Sequence, residues 1–134
     1  MPSTDTPAST RPHPTILVVD DDDYVHGTLA AALRQLKPNL IQARTAADGL
    51  ALAMEHRPAI AIVDLGLPDA SGYELTQRLR ATPGLEALRI VILTGYEPDP
   101  AAAQRAGSDE ILGKPFRLHE FLELVDRLLE PTPA

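Results

Sequence analysis

Four apolar runs in this chain each end in a side chain able to do polar chemistry. Thr15-Ile16-Leu17-Val18-Val19 leads into Asp20 and Asp21, and Ala59-Ile60-Ala61-Ile62-Val63 into Asp64. Arg89-Ile90-Val91-Ile92-Leu93 leads into Thr94, and Glu110-Ile111-Leu112-Gly113 into Lys114. Brought together, these would form a rim of three carboxylates, a hydroxyl and an ammonium. Clustered carboxylates repel one another unless a cation stands among them. Hard oxygen ligands in that number suit Mg²⁺, which is commonly held by one or two carboxylates plus water and phosphate oxygens. Beside such a cation a carboxylate can act as nucleophile toward a phosphoryl group. The metal, a lysine and a hydroxyl then neutralise and hydrogen-bond the phosphoryl oxygens. The side chains alone therefore point to phosphorylation of an aspartate.

Whether they meet depends on the elements that carry them. Short apolar runs bounded by turn residues read as strands buried on both faces, the kind found in parallel sheets. A weaker strand is read at Leu40-Ile41-Gln42-Ala43. Between the strands the spacing turns helical. Val25, Leu29, Leu33 and Leu36 mark a helix starting near Tyr24, capped by Asp22 or Asp23 and closed before Pro38. A second runs from about Ala47 to His56, with Leu50 and Met54 on its apolar face beside Ala47 and Ala53. Ser71 and Glu74 form a capping box for a third, through Leu75 and Leu79. A short Ala-rich helix, Pro100 to Ala106, stops at Gly107, and the last carries Leu118, Phe121, Leu122, Val125, Leu128 and Leu129. Strands alternating with helices imply an α/β, flavodoxin-like (βα)₅ doubly wound parallel sheet in the order 2-1-3-4-5. In that arrangement all strands deliver their carboxyl ends to one edge, where Asp20, Asp21, Asp64, Thr94 and Lys114 converge.

Composition narrows the alternatives. The 134 residues suit one domain, read as 15–130, with a disordered Pro/Ser/Thr-rich tail over 1–14 and a short tail over 131–134. A net charge of -7 argues against a nucleic-acid-binding surface. With no cysteine, disulfides and thiolate metal sites are excluded, in keeping with a cytoplasmic chain. No apolar stretch is long enough to span a membrane. His13, His26, His56 and His119 lack ligand spacing and are read as surface residues.

The pattern resembles the response regulator receiver domains of two-component signalling. The resemblance rests on Val18-Val19-Asp20-Asp21, on Ile62-Val63-Asp64 with Leu67-Pro68 and Gly72, on Leu93-Thr94-Gly95, and on Lys114-Pro115-Phe116. It implies that Asp64 accepts a phosphoryl group from a histidine kinase or a phosphotransfer protein. It implies that Asp21, Asp64 and the Gly66 backbone carbonyl ligate Mg²⁺, with Asp20 acting mainly through water. Thr94 and Lys114 would bind phosphoryl oxygens beside the Gly95 N–H, and the Lys114–Pro115 bond would be cis. Gly66 and Tyr96 occupy the positions that tune dephosphorylation, Tyr96 as a shield of the acyl phosphate. Stand-alone receivers and those of hybrid kinases share these features. Two departures stand out. Ile111 holds a place where many receivers carry a switching aromatic, and the segment from Thr94 to Ala106 is shorter than in common members.

The resulting expectation is a signalling switch, not an enzyme beyond its own phosphorylation and dephosphorylation. It would act through a downstream protein target or by phosphorelay, as a monomer or weak homodimer. With the chain ending at Ala134, no output domain is expected to follow. Two other readings compete. One is a binding module on the same fold that acts without phosphorylation. The other is a Mg²⁺-dependent aspartyl-phosphate phosphatase, which usually needs a second acid two positions after the nucleophile, where this chain has Gly66.

Overall fold

The computed structural model describes residues 13–130. The expected tails at 1–14 and 131–134 therefore fall, except for His13 and Pro14, outside the described residues. Five strands alternate with helices: β1 (Thr15–Val19), α1 (Asp23–Ala32), β2 (Asn39–Ala43), α2 (Ala46–His56), β3 (Ile60–Asp64), α3 (Gly72–Arg80), β4 (Arg89–Thr94), α4 (Pro100–Ala106), β5 (Glu110–Gly113) and α5 (Leu118–Leu129). A short 3₁₀ turn, Arg34–Leu36, follows α1. All neighbouring strands pair in parallel, in the order β2-β1-β3-β4-β5. This is the doubly wound order expected from the alternation of strands and helices.

Strand alternation divides the core between two faces. Ile16, Val18, Ile60, Ile62, Val91 and Leu93 join Leu29 and Leu33 of α1 and Phe121, Leu124 and Val125 of α5. Leu17, Val19, Ala61, Val63 and Ile90 join Ala46 and Ala53 of α2 and Leu75 and Leu79 of α3. β1, β3 and β4 are thus buried on both sides, which is why their sequences are almost wholly apolar.

The caps follow the sequence. Asp22 accepts from the Tyr24 N–H, Ser71 from the Glu74 N–H, and Asp99 from the Ala102 N–H. Gly107 ends α4 with φ 103°, a left-handed conformation that glycine adopts without penalty.

Two readings need correction. The core face of α2 is made of Ala46, Gly49 and Ala53, while Met54 is exposed and Leu50 only half-buried. Small residues let α2 lie close to the sheet, so the larger side chains sit at the margin. His26 is buried, not a surface residue. It precedes Leu29 and Leu33 at helical spacing and shares their inward face.

Candidate functional site

Strand register sets the site. Val19 lies opposite Val63, so Asp20 and Asp64 emerge at one level on adjacent strands. Asp64 lies opposite Leu93 and Thr94 opposite Gly113, which brings Thr94 and Lys114 one step further along the same edge. One carboxylate oxygen from each of Asp20, Asp21 and Asp64 lies within 4.8 Å of the others. Lys114 reaches across the edge, its Nζ donating to Asp64 Oδ1 at 2.9 Å and to Asp20 Oδ2 at 3.3 Å. Asp20 and Asp64 are buried, whereas Asp21 is exposed at the mouth of the cluster.

The charges are unbalanced: three carboxylates face one ammonium. Burial pushes the Asp20 carboxyl above its usual range, and the negative charge of Asp64 pushes it further. The Asp22 N–H, donating to Asp20 Oδ1 at 2.9 Å, and Lys114 only partly offset this. Burial alone would lower the pKa of Lys114. The hydrogen bond and charge of Asp64, followed by those of Asp20, outweigh it and raise the net value. A divalent cation would relieve the excess negative charge, and the donor set, all carboxylate oxygen with one member open to solvent, fits a hard ion such as Mg²⁺.

The space beside Asp64 is kept clear by glycine. A Cβ on Gly66 would meet only Asp64 Oδ2, at 3.7 Å, and one on Gly95 would meet nothing within 4 Å. Packing therefore demands glycine at neither position. Gly72 differs: a Cβ there would lie 2.7 Å from the Asp64 carbonyl oxygen and 2.8 Å from Leu65 Cα. That close approach seats the start of α3 against the end of β3, where the Gly72 N–H donates to the Leu65 carbonyl.

Thr94 is buried, and its Oγ1 accepts from the Tyr96 N–H at 3.0 Å. Tyr96 is 83% exposed. Lys114–Pro115 is cis, as expected. Ile111 is half-buried and lines a recess between α4 and β5 with Pro100, Ala103 and Gln104. The structure thus brings Asp20, Asp21, Asp64 and Lys114 into one cluster, with Gly66 beside it. Ile111 lies away from it, under α4.

Two contributors were not legible in the sequence. Asp69, in the loop after β3, accepts from the Ala46 and Ala47 N–H groups at 2.8 and 3.0 Å and so caps α2 across space. No local motif signals a cap supplied from so far along the chain. His26 donates from Nε2 to the Asp20 carbonyl at 2.7 Å. Its place on the Leu29–Leu33 stripe was the available signal.

The family model of the response regulator receiver domain matches residues 16–126. The chain is 36% identical over 109 residues to the transcriptional regulatory protein KdpE of Mycobacterium tuberculosis (strain H37Rv), covering 80% of this chain and 47% of that protein. It spans about half the length of several curated relatives that it matches. Among solved structures, the non-phosphorylated HemR receiver domain from Leptospira biflexa superposes with a TM-score of 0.79 at 28% identity, covering 90% of this chain and 98% of that one. Chemotaxis protein CheY4 of Vibrio cholerae gives 0.80 at 23% identity, over 87% and 98%, which is a likeness of fold.

Proposed function

The chain belongs to the response regulator receiver domains, the phosphorylation-dependent switches of two-component signalling, and from that premise we propose that Asp64 is its phosphoacceptor. One observation carries the reading. Asp20, Asp21 and Asp64 converge within 4.8 Å with Lys114 Nζ seated between two of them. Carboxylates gathered this closely, two of them buried, repel one another at a cost that a bound cation would relieve.

Asp21, Asp64 and the Gly66 carbonyl would hold Mg²⁺, with Asp20 reaching it through water. The ion, when bound, supplies charge neutralisation for the carboxylates and the incoming phosphoryl oxygens. Asp64 Oδ1 is engaged by Lys114, which leaves Oδ2 facing the clear space beside Gly66. In the transfer, an Asp64 oxygen forms the new P–O bond as the P–N bond to a phosphohistidine breaks. The electron pair leaves with the imidazole. Lys114 would then pair with a phosphoryl oxygen, the Thr94 hydroxyl would donate to another, and the Gly95 N–H would lie beside them.

The donor would be a histidine kinase or a phosphotransfer protein, and the output contact with a downstream protein or onward relay. Exposed Tyr24 and Leu118, each in the first turn of a helix leaving the site's edge, offer apolar footing for the donor. No helix among the described residues is long and apolar enough to cross a membrane. We place the protein in the cytoplasm, where such kinases present their phosphohistidine.

Incubation with acetyl phosphate and Mg²⁺, followed by intact-mass analysis, tests this. A labile phosphoryl adduct is expected on the wild type and not on Asp64→Asn. An unmodified wild type would overturn the reading in favour of a module acting without phosphorylation. Steady turnover of p-nitrophenyl phosphate would instead favour a phosphatase.

A further inference from the structure

His26 is only 5% exposed, and its Nε2 lies 2.7 Å from the Asp20 carbonyl oxygen. A carbonyl can only accept, so Nε2 donates in this bond, and the other ring nitrogen is Nδ1. That Nδ1 is buried and has no partner. A buried imidazole with one ring nitrogen unsatisfied is costly as packing alone, since an apolar side chain of similar size would fill the place without that penalty. What the ring provides in return is a tether on the Asp20 carbonyl.

The residues between explain why the tether matters. Asp20 N–H donates to the Ala43 carbonyl at 3.0 Å, and Asp20 Oδ1 accepts from the Asp22 N–H at 2.9 Å. Asp22 in turn caps Tyr24. Asp21 is thus the exposed member of a turn pinned on both sides. His26, one turn into α1, closes that turn by holding the Asp20 carbonyl from below. We infer that His26 is a positioning residue for the acidic site: its Nε2–H fixes the β1–α1 turn so that the Asp20 and Asp21 carboxylates are presented together toward Asp64. This rests on the reading of the acidic cluster as a cation site.

The test uses the full chain and the variants His26→Leu, His26→Asn and His26→Gln. A glutamine amide nitrogen can stand about where the imidazole Nε2 stands, whereas that of asparagine falls short. Mg²⁺ affinity is measured by isothermal titration, and exchange of the Asp21 and Asp22 amides by NMR without metal. The leucine and asparagine variants should bind Mg²⁺ about fivefold to tenfold more weakly, the scale of one lost hydrogen bond. Their Asp22 amide should exchange faster, and the glutamine variant should restore both readouts. A leucine variant that matches the wild type in affinity and exchange overturns the inference, as does a glutamine variant no better than asparagine. Should the leucine variant fail to fold, the glutamine–asparagine comparison decides alone. A wild type that binds no Mg²⁺ overturns the cation-site reading and this inference with it, whereas binding that is indifferent to His26 overturns the inference only.

Discussion

At the scale of single residues, burial works against the negative charge on Asp20. Its pKa is raised chiefly by desolvation, then by the charge of Asp64. A group whose pKa is raised in the fold stabilises the fold below its ordinary value of 3.8 and loses that contribution as pH climbs through the raised value. At neutral pH the ionised Asp20 is therefore a local cost in the metal-free protein. Asp20→Asn removes the charge and keeps an oxygen for the Asp22 N–H. It should raise the melting temperature at pH 7 without metal by about 3–5 °C, the shift that ~1 kcal/mol gives a domain of this size. Mg²⁺ should stabilise the wild type more than this variant, which keeps Asp21 and Asp64 but loses one carboxylate charge beside the ion. Calorimetry with and without Mg²⁺ checks both. Gly66 poses a different question, because its missing side chain leaves Asp64 Oδ2 open. Gly66→Leu should fold normally, since its Cβ would meet only ordinary contact, and should lengthen the acyl-phosphate half-life several-fold by covering the path of attacking water. Loss of the adduct followed by mass would show it, and an unchanged half-life would remove Gly66 from the tuning positions.

Elements were more legible than the ties between them. Apolar runs, caps and glycine stops located the strands and helices, because each signal is local and the strands are buried on both faces. Asp64 could be read because its partners end other strands at the same edge. Asp69 and Arg80 could not, since their bonds run to places distant in sequence. Arg80, at the end of α3, donates to the Gly107 carbonyl at 2.7 Å, the Leu88 carbonyl at 2.5 Å and Asp109 Oδ2 at 2.8 Å. It thereby ties α3 to the turn after α4, and Asp109 also accepts from the Ile90 N–H. Arg80→Ala should destabilise the domain by about 1–3 kcal/mol in urea unfolding, because two carbonyls and a carboxylate lose a donor together. Asp69 is open to solvent, and its effect should depend on pH. Its carboxyl is held below the ordinary value of 3.8 by the Ala46 N–H first, then by that of Ala47. A depressed pKa gives stability above the ordinary value that is lost as pH falls through the lowered one. The urea midpoint of Asp69→Ala should lie below that of the wild type at pH 6, and the two should converge as pH drops below about 3.8. A gap independent of pH would mean that the charge on Asp69 does nothing for the cap.

Across the whole molecule, phosphorylation at one edge must be felt at a surface. Many receivers use an inward-turning aromatic on the last strand, and here that place is Ile111. A branched aliphatic side chain has no aromatic rotamer to exchange, and it sits half-buried under α4 beside Pro100 and Ala103. The part set to move would lie earlier. Thr94 Oγ1 accepts the Tyr96 N–H. A threonine hydroxyl turning to donate to a phosphoryl oxygen would have to change rotamer about χ1, which takes its oxygen away from that N–H. The Tyr96 amide would then lose its partner, and the loop Gly95–Asp99, which leads directly into the seven-residue α4, would be freed with it. The switch would thus pass through backbone rather than through an aromatic ring. In hydrogen exchange, phosphorylation should speed the Tyr96 amide about threefold to tenfold, the equivalent of one modest hydrogen bond, with changes extending into α4 and little effect on α2. In Thr94→Ala the Tyr96 amide should already exchange at the fast rate and phosphorylation should not move it further. A wild-type Tyr96 amide that keeps its protection on phosphorylation would show that Thr94 holds its place, and that the signal leaves the site by another route.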